Sequence, residues 1–328
     1  MENIDQGRSY YNKNINISNC FFSRSSSYSG DGGVICVTAS SCSMNVIYSM
    51  FYNCVCSSHG GAIFFSSSNS CLRMICANSC SASSWYHFAY LIASQVNQVM
   101  YLSVSNCSHT TSGTSSILIE AGDQRVDNTN SSMNNAYQVS GIYISSPSSF
   151  TSSHCTFSNN KVSHSICIHF FSTSGTISMS YVNIVHNNSP SYGVVYVEGG
   201  GSRKMMYCIF KNNQNTLFCV WSGSLEVSHS FISHSASSFS TSIAVSTSNN
   251  NSFINTITYQ LQFFNALHCN ADIPLIQRSL EETLRETQRE TVGRTYDSEC
   301  EMRMLSSDLV KRKSDMNMFP IFISFVIV

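Results

Sequence analysis

Short runs in which apolar and polar residues alternate recur along most of the chain, and they are its strongest structural signal. Strict alternation over four to eight residues is typical of β-strands. The approximate centres of nine such runs are Ile35, Ile63, Leu91, Leu118, Ile142, Cys167, Val194, Cys219 and Ala244. Neighbouring centres are about 24 to 28 residues apart. The pattern therefore predicts a repeat of about 25 residues.

Two further runs complete each repeat. One lies about 10 to 13 residues upstream of each centre, as in residues 50–54, 155–160, 182–188 and 208–213. It ends in Asn or Ser, which tolerate left-handed backbone and bond their own main chain at turns. Another run comes earlier still, as in residues 44–48, 176–180 and 225–228. Each repeat therefore holds three short strands and three turns.

Three strands in about 25 residues predict one coil of a parallel β-helix, also called a β-solenoid. A single coil cannot bury its inward face, so coils stack and like residues lie above like at a spacing of about 4.8 Å. A β-propeller would instead need four strands and about 40 residues per repeat. The predicted fold class is all-β, with about nine to ten coils over residues 15–270 and a charged C-terminal tail.

Charge sets the domain boundaries. Residues 1–270 hold 17 of the 35 charged residues, and the last 58 residues hold the other 18. We predict an N-terminal leader or cap at 1–14, the coils at 15–270, a charged Glu/Arg/Thr-rich spacer at 271–315 and a short apolar C-terminal tail at 316–328. The charged fraction, 11%, excludes a strongly basic nucleic-acid binder. The 20 Phe and 16 Tyr argue against disorder.

Two recurring motifs mark a known family. The first is Gly60-Gly61-Ala62-Ile63, with Gly32-Gly33 as a near match followed by Val and Ile. The second is Phe-x-x-Asn, seen from Phe157 to Asn160 and from Phe210 to Asn213, with a weaker version at residues 184–187. Together they resemble the polymorphic membrane protein (Pmp) repeats of chlamydiae, and the phrase around residues 51–63 is most similar to the trichomonad surface β-helix proteins.

That resemblance implies a right-handed coil, no catalytic site and a surface role in adhesion, coat structure or antigenic display. It implies as partner a host-cell or extracellular surface ligand, either protein or glycan, and no nucleic acid. The first eight residues lack the basic start and apolar run of a secretory signal, and the apolar tail is too short for a transmembrane helix. We still expect a cell-surface or membrane-associated protein, with membrane contact through that tail. Five N-x-S sequons are candidate glycosylation sites: Asn16, Asn106, Asn130, Asn187 and Asn250.

The sequence contains few candidates for catalytic, metal-binding or sugar-binding residues. The main acidic cluster of the coils, from Glu120 to Asp127, is predicted to be a solvated turn, and the cysteines are predicted to be packed core thiols without a metal site or cofactor. The histidines mostly flank turns, with no recognisable catalytic arrangement. A sugar-stacking face at Trp85, Tyr86, Phe88 and Trp221 competes with simple packing of the same rings. The alternatives to a contact protein are a carbohydrate-binding or carbohydrate-active β-helix, similar to pectinases and lyases, and a truncated or divergent non-functional family member.

Overall fold

The structure is a computed structural model that describes residues 8–10, 13–27, 30–108, 113–163, 166–171, 175–233, 245–248 and 324–326. These residues form a parallel β-solenoid of about eight turns with strands and no helices. The predicted spacer at 271–315 lies outside the described residues. Within the part of the chain that is described, no helix is long and apolar enough to cross a membrane.

Three parallel sheets make up the wall of the solenoid, one strand of each per coil. Sheet 1 contains β1 (Arg8–Tyr10), β5 (Ile35–Thr38), β11 (Ile117–Glu120), β15 (Val139–Ser145), β19 (Ile166–Phe171), β22 (Gly193–Glu198) and β25 (Phe218–Val220). Sheet 2 contains β2 (Ile15–Ser18), β12 (Asp123–Asp127), β16 (Ser149–Ser153), β20 (Thr176–Ser180), β23 (Ser202–Met206), β26 (Ser224–Ser228) and β28 (Val245–Ser248). Sheet 3 contains β3 (Phe21–Ser23), β13 (Asn130–Ser132), β17 (Thr156–Ser158), β21 (Asn183–Val185), β24 (Ile209–Lys211) and β27 (Phe231–Ser233).

Three long strands bend around the corners and belong to more than one sheet. They are β6 (Ser43–Tyr52), in sheets 2 and 3, and β8 (Ile63–Asn78) and β10 (Ala89–Ser105), each in all three sheets. Two small sheets of short strands follow sheet 3. One contains β4 (Ser26–Ser27), β7 (Val55–Cys56) and β9 (Ser81–Ala82), and the other contains β14 (Asn135–Ala136) and β18 (Lys161–Val162). The last strand, β29 (Ser324–Val326), pairs with β2 in the antiparallel direction.

The predicted parallel β-solenoid is thus confirmed, with corrections of detail. The predicted nine to ten coils extended to residue 270, and the structure has about eight turns. Strand β1 lies in sheet 1, so part of the predicted leader or cap belongs to the first coil. Ile63 pairs with Ala89 and Val195 with Phe218, so the predicted centre Leu91 is two residues late and the predicted centre Cys219 is one residue late. The right-handed sense of the coil stays a prediction from the resemblance.

The core is a set of stacked inward columns. In sheet 1 one column is Ile35, Ile63, Ala89, Ile117, Ile142, Ile168, Val195 and Phe218, and all of them are buried. The branched chains fill this narrow interior because inward positions recur every second residue along a strand. Nine buried cysteines of the described residues are free thiols, and Cys76 takes part in a disulfide.

An asparagine ladder, defined as Asn134, Asn160, Asn187 and Asn213, runs inside the corner that follows sheet 3. The backbone N–H of Asn134 donates to Oδ1 of Asn160 at 3.0 Å, and that of Asn160 donates to Oδ1 of Asn187 at 3.0 Å. Each side-chain amide also donates to a carbonyl one coil back, as Asn187 does to Phe157 at 2.9 Å. The ladder therefore satisfies backbone groups that are buried where the sheet hydrogen bonding stops.

Left-handed residues precede the inward ladder and recur at two corners of each coil. The corner after sheet 3 has positive φ at Arg24, Asn53, Ser79, Asn106, Met133, Asn159, His186 and Asn212. The corner between sheets 2 and 3 has positive φ at Asn19, Tyr48, Met74, Tyr101, Asn128, His154, Tyr181, Tyr207 and His229. The first set confirms that Asn and Ser mark turns. The second was not expected, because bulky residues seldom adopt this conformation.

The two glycines of the Gly-Gly motif have different structural roles. Gly32 and Gly60 have φ of +63° and +67°, which glycine adopts without a Cβ penalty. At Gly33 and Gly61 the next coil comes so close that an added Cβ would overlap backbone carbonyl oxygens. Ala62 and Ile63 then begin the buried strand of sheet 1.

We predict that Asn160→Ala lowers the free energy of unfolding by about 2–4 kcal/mol. Asn160 accepts the N–H of Asn134 at 3.0 Å and donates to the carbonyl of Ser131 at 2.8 Å. The change leaves both of these buried backbone groups without their hydrogen-bond partner. Asn45→Ala is the matched control, because Asn45 faces outward from β6 and is only partly buried. Urea unfolding midpoints measure both variants, and equal small losses would contradict a supporting role for the ladder.

We also predict that Gly61→Ala destabilises the fold by about 3 kcal/mol or more. A methyl group there meets the carbonyl oxygens of His87 and Ser81, which are backbone atoms that cannot swing aside. Gly200→Ala is the control, since no heavy atom lies within 4 Å of an added Cβ at Gly200. Thermal unfolding should separate the two variants clearly, and a tolerated Gly61→Ala would show that the coils can spread apart locally.

Candidate binding face

The outward side of sheet 1 carries a column of aromatic rings that one leucine, Leu118, interrupts. We call it the aromatic face and define its central column as Phe64, Tyr90, Leu118, Tyr143, His169 and Tyr196. Tyr143 and His169 stack with ring centroids 4.5 Å apart, and His169 and Tyr196 follow at 4.9 Å. The rings meet because parallel coils place equivalent side chains one strand spacing apart. Inward Ile and Val alternate with them and hold the strand to the core.

Further rings from the turns widen this face at both ends. Trp85 and Tyr86 precede β10, and Tyr86 packs on Tyr90 at 4.4 Å. Trp85 lies parallel to the imidazole of His59 at 6.0 Å and is 43% exposed. At the other end Tyr192 packs on Tyr196 at 5.4 Å and is 42% exposed. The face therefore has a partly buried centre and a rim of accessible rings.

Two carboxylates lie in the outward column next to the rings. That column is Ile92, Glu120, Ser145, Phe171 and Glu198. Tyr90 donates its hydroxyl to Glu120 Oε2 at 3.0 Å. Glu198 Oε2 lies 3.4 Å from Nε2 of His169, and 36% of the Glu198 side chain is exposed. Trp221 follows Glu198 in the next coil and is 72% exposed.

Burial controls the protonation of the polar rings. It lowers the pKa of His169 from 6.5 to about 3, so the imidazole is neutral at pH 7 and its contact with Glu198 is not an ion pair. Burial, followed by the charges of Glu198 and Glu120, raises the pKa of Tyr143 to about 12. Burial also raises the pKa values of Tyr86 and Tyr90. These phenols therefore keep their protons and act as hydrogen-bond donors.

A serine, a histidine and an aspartate meet at the edge of the face without forming a catalytic triad. Ser58 Oγ lies 2.7 Å from Nδ1 of His59, and Asp31 Oδ1 lies 2.8 Å from the same nitrogen. In a triad the acid holds one ring nitrogen while the nucleophile faces the other. Asp31 also accepts the backbone N–H of His59 at 3.1 Å, so the group fastens one turn to the next.

The acidic segment from Glu120 to Asp127 is not the long solvated turn that the sequence predicted. Asp123–Asp127 form strand β12, in which Val126 faces the core and Asp127 is buried. Asp127 accepts the N–H and hydroxyl of Ser153 at 2.9 and 2.8 Å. The alternation of Gln124 and Val126 is typical of a strand, but the sequence prediction gave more weight to the charged residues between them. Among the described residues, no three of His, Cys, Asp and Glu are grouped so as to hold a metal ion.

A second ring stack lies at the corner between sheets 2 and 3. It is the corner stack: His154, Tyr181, Tyr207 and His229, with successive centroids 5.2, 5.0 and 5.3 Å apart. Each ring stands on a left-handed residue. Tyr181 is 41% exposed, but both of its faces lie against neighbouring rings. In the corner stack solvent therefore reaches the edges of the rings. At the rim of the aromatic face it reaches the exposed rings Trp85 and Tyr192.

The structure places the predicted motif residues in supporting roles. The glycine motifs shape the approach to sheet 1, Phe157 and Phe210 fill the core behind sheet 3, and Asn160 and Asn213 belong to the asparagine ladder. The sequons divide by burial. Asn16 is exposed and Asn106 is partly buried, whereas Asn130 and Asn187 are buried. Asn187 bonds through both its amide nitrogen and its carbonyl oxygen, so a glycan there conflicts with the fold. Asn250 lies outside the described residues.

The suggested sugar-stacking set is only partly brought together. Phe88 is a core residue that packs on Phe51 at 5.8 Å, while Trp85 and Tyr86 lie on the aromatic face. Sequence reasoning missed Tyr90, Tyr143, His169, Tyr196 and the adjacent Glu120 and Glu198 as one surface. The signal was present, because each ring alternates with inward branched residues in the runs that defined the repeat. Only the register between coils was lacking.

Comparison with known proteins found no matching family model, curated protein or solved structure. The resemblance to the Pmp-like and trichomonad proteins therefore stays a prediction. What the structure itself establishes is a parallel β-solenoid repeat.

The buried imidazole predicts an acid-sensitive fold. Because the pKa of His169 is about 3 in the folded chain and 6.5 as its ordinary value, the unfolded chain binds the extra proton between these two pH values. The stabilisation that the neutral, buried imidazole gives to the folded chain is complete above pH 6.5 and is lost as the pH falls. The loss reaches about 3 kcal/mol at pH 4. We expect His169→Phe, which keeps a ring, to lose less stability than the parent between pH 7 and pH 4. Urea unfolding at the two pH values measures both proteins. If the parent and His169→Phe lose the same free energy of unfolding between pH 7 and pH 4, this account is contradicted.

Proposed function

We propose that the protein is a non-enzymatic, surface-type β-solenoid that works by contact and binds an extended carbohydrate along the aromatic face. The observation that carries the proposal is the outward column of rings in sheet 1 with carboxylates beside it. Binding sites of this kind combine large apolar surfaces with a few placed polar groups. Adhesion is favoured over coat structure or antigenic display, because those two roles do not need a surface of this composition.

The chemistry of the face suits sugars. The C–H groups of a pyranose pack on the flat side of an aromatic ring, and Trp85 and Tyr192 offer accessible rings at the two ends. Sugar hydroxyls both donate and accept hydrogen bonds, which Glu198 and the protonated phenols can complement. The rings repeat at the strand spacing of about 4.8 Å, and an extended, equatorially linked pyranose chain advances by a similar distance per residue. A chain lying parallel to the solenoid axis would therefore meet one coil with each sugar.

The arrangement supports binding more than hydrolysis. Glu120 and Glu198 are separated by three coil steps, about 14 Å at the strand spacing. Glycoside hydrolysis uses paired carboxylates about 5 to 9.5 Å apart. Glu120 and Glu198 are thus too far apart to be the pair that the pectinase-like alternative would need. Many weak contacts along a rod can instead add up to a firm hold.

The test is binding of soluble hexasaccharides of glucose, mannose and N-acetylglucosamine, measured by titration calorimetry on the full chain. We expect at least one hexamer to bind and Trp85→Ala/Tyr192→Ala to weaken it about tenfold, because both accessible rings are lost. Tyr181→Ala is the matched control: its exposure, 41%, equals theirs within two percentage points, but it belongs to the corner stack.

Two results would overturn the proposal. One is that no hexamer binds to the folded protein. The other is that Tyr181→Ala weakens binding as much as the double variant while far-ultraviolet circular dichroism shows that both variants are folded, since sugar would then be bound elsewhere.

A further inference from the structure

The charge pattern of the aromatic face names a narrower class of ligand. We infer that the face selects glycans bearing ammonium groups, the amino sugars, over neutral and acidic ones. This inference depends on the proposed carbohydrate binding and adds the charge of the ligand to it.

From β5 to β25, the described strands of sheet 1 present no lysine or arginine outward. Their outward residues from β5 to β25 are Cys36, Thr38, Phe64, Ser66, Tyr90, Ile92, Leu118, Glu120, Tyr143, Ser145, His169, Phe171, Tyr196, Glu198 and Cys219. Sheet 2 differs, because Arg125 and Lys204 face outward there and pair with Asp127 and Glu226. Among the described strands that are compared, outward basic residues thus lie on sheet 2, and the outward side of sheet 1 from β5 to β25 has none.

The two carboxylates of the face keep their negative charge uncompensated. Glu120 accepts a hydrogen bond from Tyr90, which is neutral, and it takes part in none of the ion pairs among the described residues. The group nearest Glu198 is the imidazole of His169, which burial keeps unprotonated at pH 7. An approaching cation therefore meets two carboxylates that pair with no lysine or arginine among the described residues.

The rings add to the same preference. An ammonium group is attracted to the face of an aromatic ring within about 6 Å, and the attraction grows as water is removed. Tyr86, Tyr90 and Tyr143 lie close enough to Glu120 that its charge raises their pKa values. A cation at Glu120 would thus contact a carboxylate and ring faces together. An acidic sugar at the same place would meet repulsion from both.

The distance between the carboxylates sets the length of the ligand. Because Glu120 and Glu198 are about 14 Å apart along the axis, a mono- or disaccharide can reach only one of them. An oligomer that spans three coil steps can reach both, and the second contact is then intramolecular. We therefore expect affinity to rise steeply between the dimer and the hexamer of glucosamine.

The experiment compares hexamers of glucosamine, N-acetylglucosamine and galacturonate at pH 6 in low salt, by titration calorimetry on the full chain. We expect the glucosamine hexamer to bind about tenfold more tightly than the acetylated one, and the galacturonate hexamer to bind most weakly. The preference should shrink in 0.5 M salt, because exposed charges are screened. Glu120→Gln/Glu198→Gln should abolish the preference while leaving the acetylated hexamer bound.

Asp123→Asn/Glu226→Gln is the matched control, because it removes two negative charges from sheet 2 and should keep the preference. If the acetylated hexamer binds through Trp85 and Tyr192 but glucosamine is not preferred, this inference fails and the proposed function stands. If no hexamer binds, both fail. A lysine hexamer that binds through Glu120 and Glu198 while no sugar does would also overturn the inference, since the face would then recognise a basic peptide.

Discussion

Hydrogen bonds from inward asparagine side chains to the backbone of neighbouring coils fix the register of the C-terminal half of the solenoid. Each side chain of the asparagine ladder accepts one backbone N–H and donates to one carbonyl. The left-handed residue before it turns the chain so that the amide points inward. A shift of one residue would expose the amide and bury its neighbour. The ladder therefore selects a single register, which sheet hydrogen bonds alone specify less strictly.

The aromatic face depends on that register. Tyr143, His169 and Tyr196 are brought together by the same coil-to-coil pairing that stacks the core behind them. Glu120 and Glu198 lie in one column because the parallel pairing of successive coils sets Glu120 beside Ser145, Ser145 beside Phe171 and Phe171 beside Glu198. A surface that is assembled one residue per coil has no local sequence motif. Its composition becomes meaningful only after the coils are aligned.

This explains what the sequence could and could not reveal. Three strands per repeat and the left-handed Asn corners could be predicted, because each depends on residues close together in the chain. The roles of Gly61 and Asn160 could not, because their contacts are with neighbouring coils. The pairing of Ile63 with Ala89 could not, because an offset of two residues leaves the inward pattern unchanged. Strand β12 was missed since charge was weighed above alternation. The aromatic face was missed because its members are about 26 residues apart.

The inward ladder changes from cysteine, at Cys54, Cys80 and Cys107, to asparagine from Asn134 onward. Within the asparagine part every coil has an acceptor for the coil before it and a donor toward its carbonyl. A duplicated coil inserted there would find both partners already in place. It would also add one more outward ring or carboxylate to the aromatic face. Growth by whole coils would thus lengthen the core and the aromatic face by the same step, so the length of polymer that the proposed binding could span would follow the number of repeats.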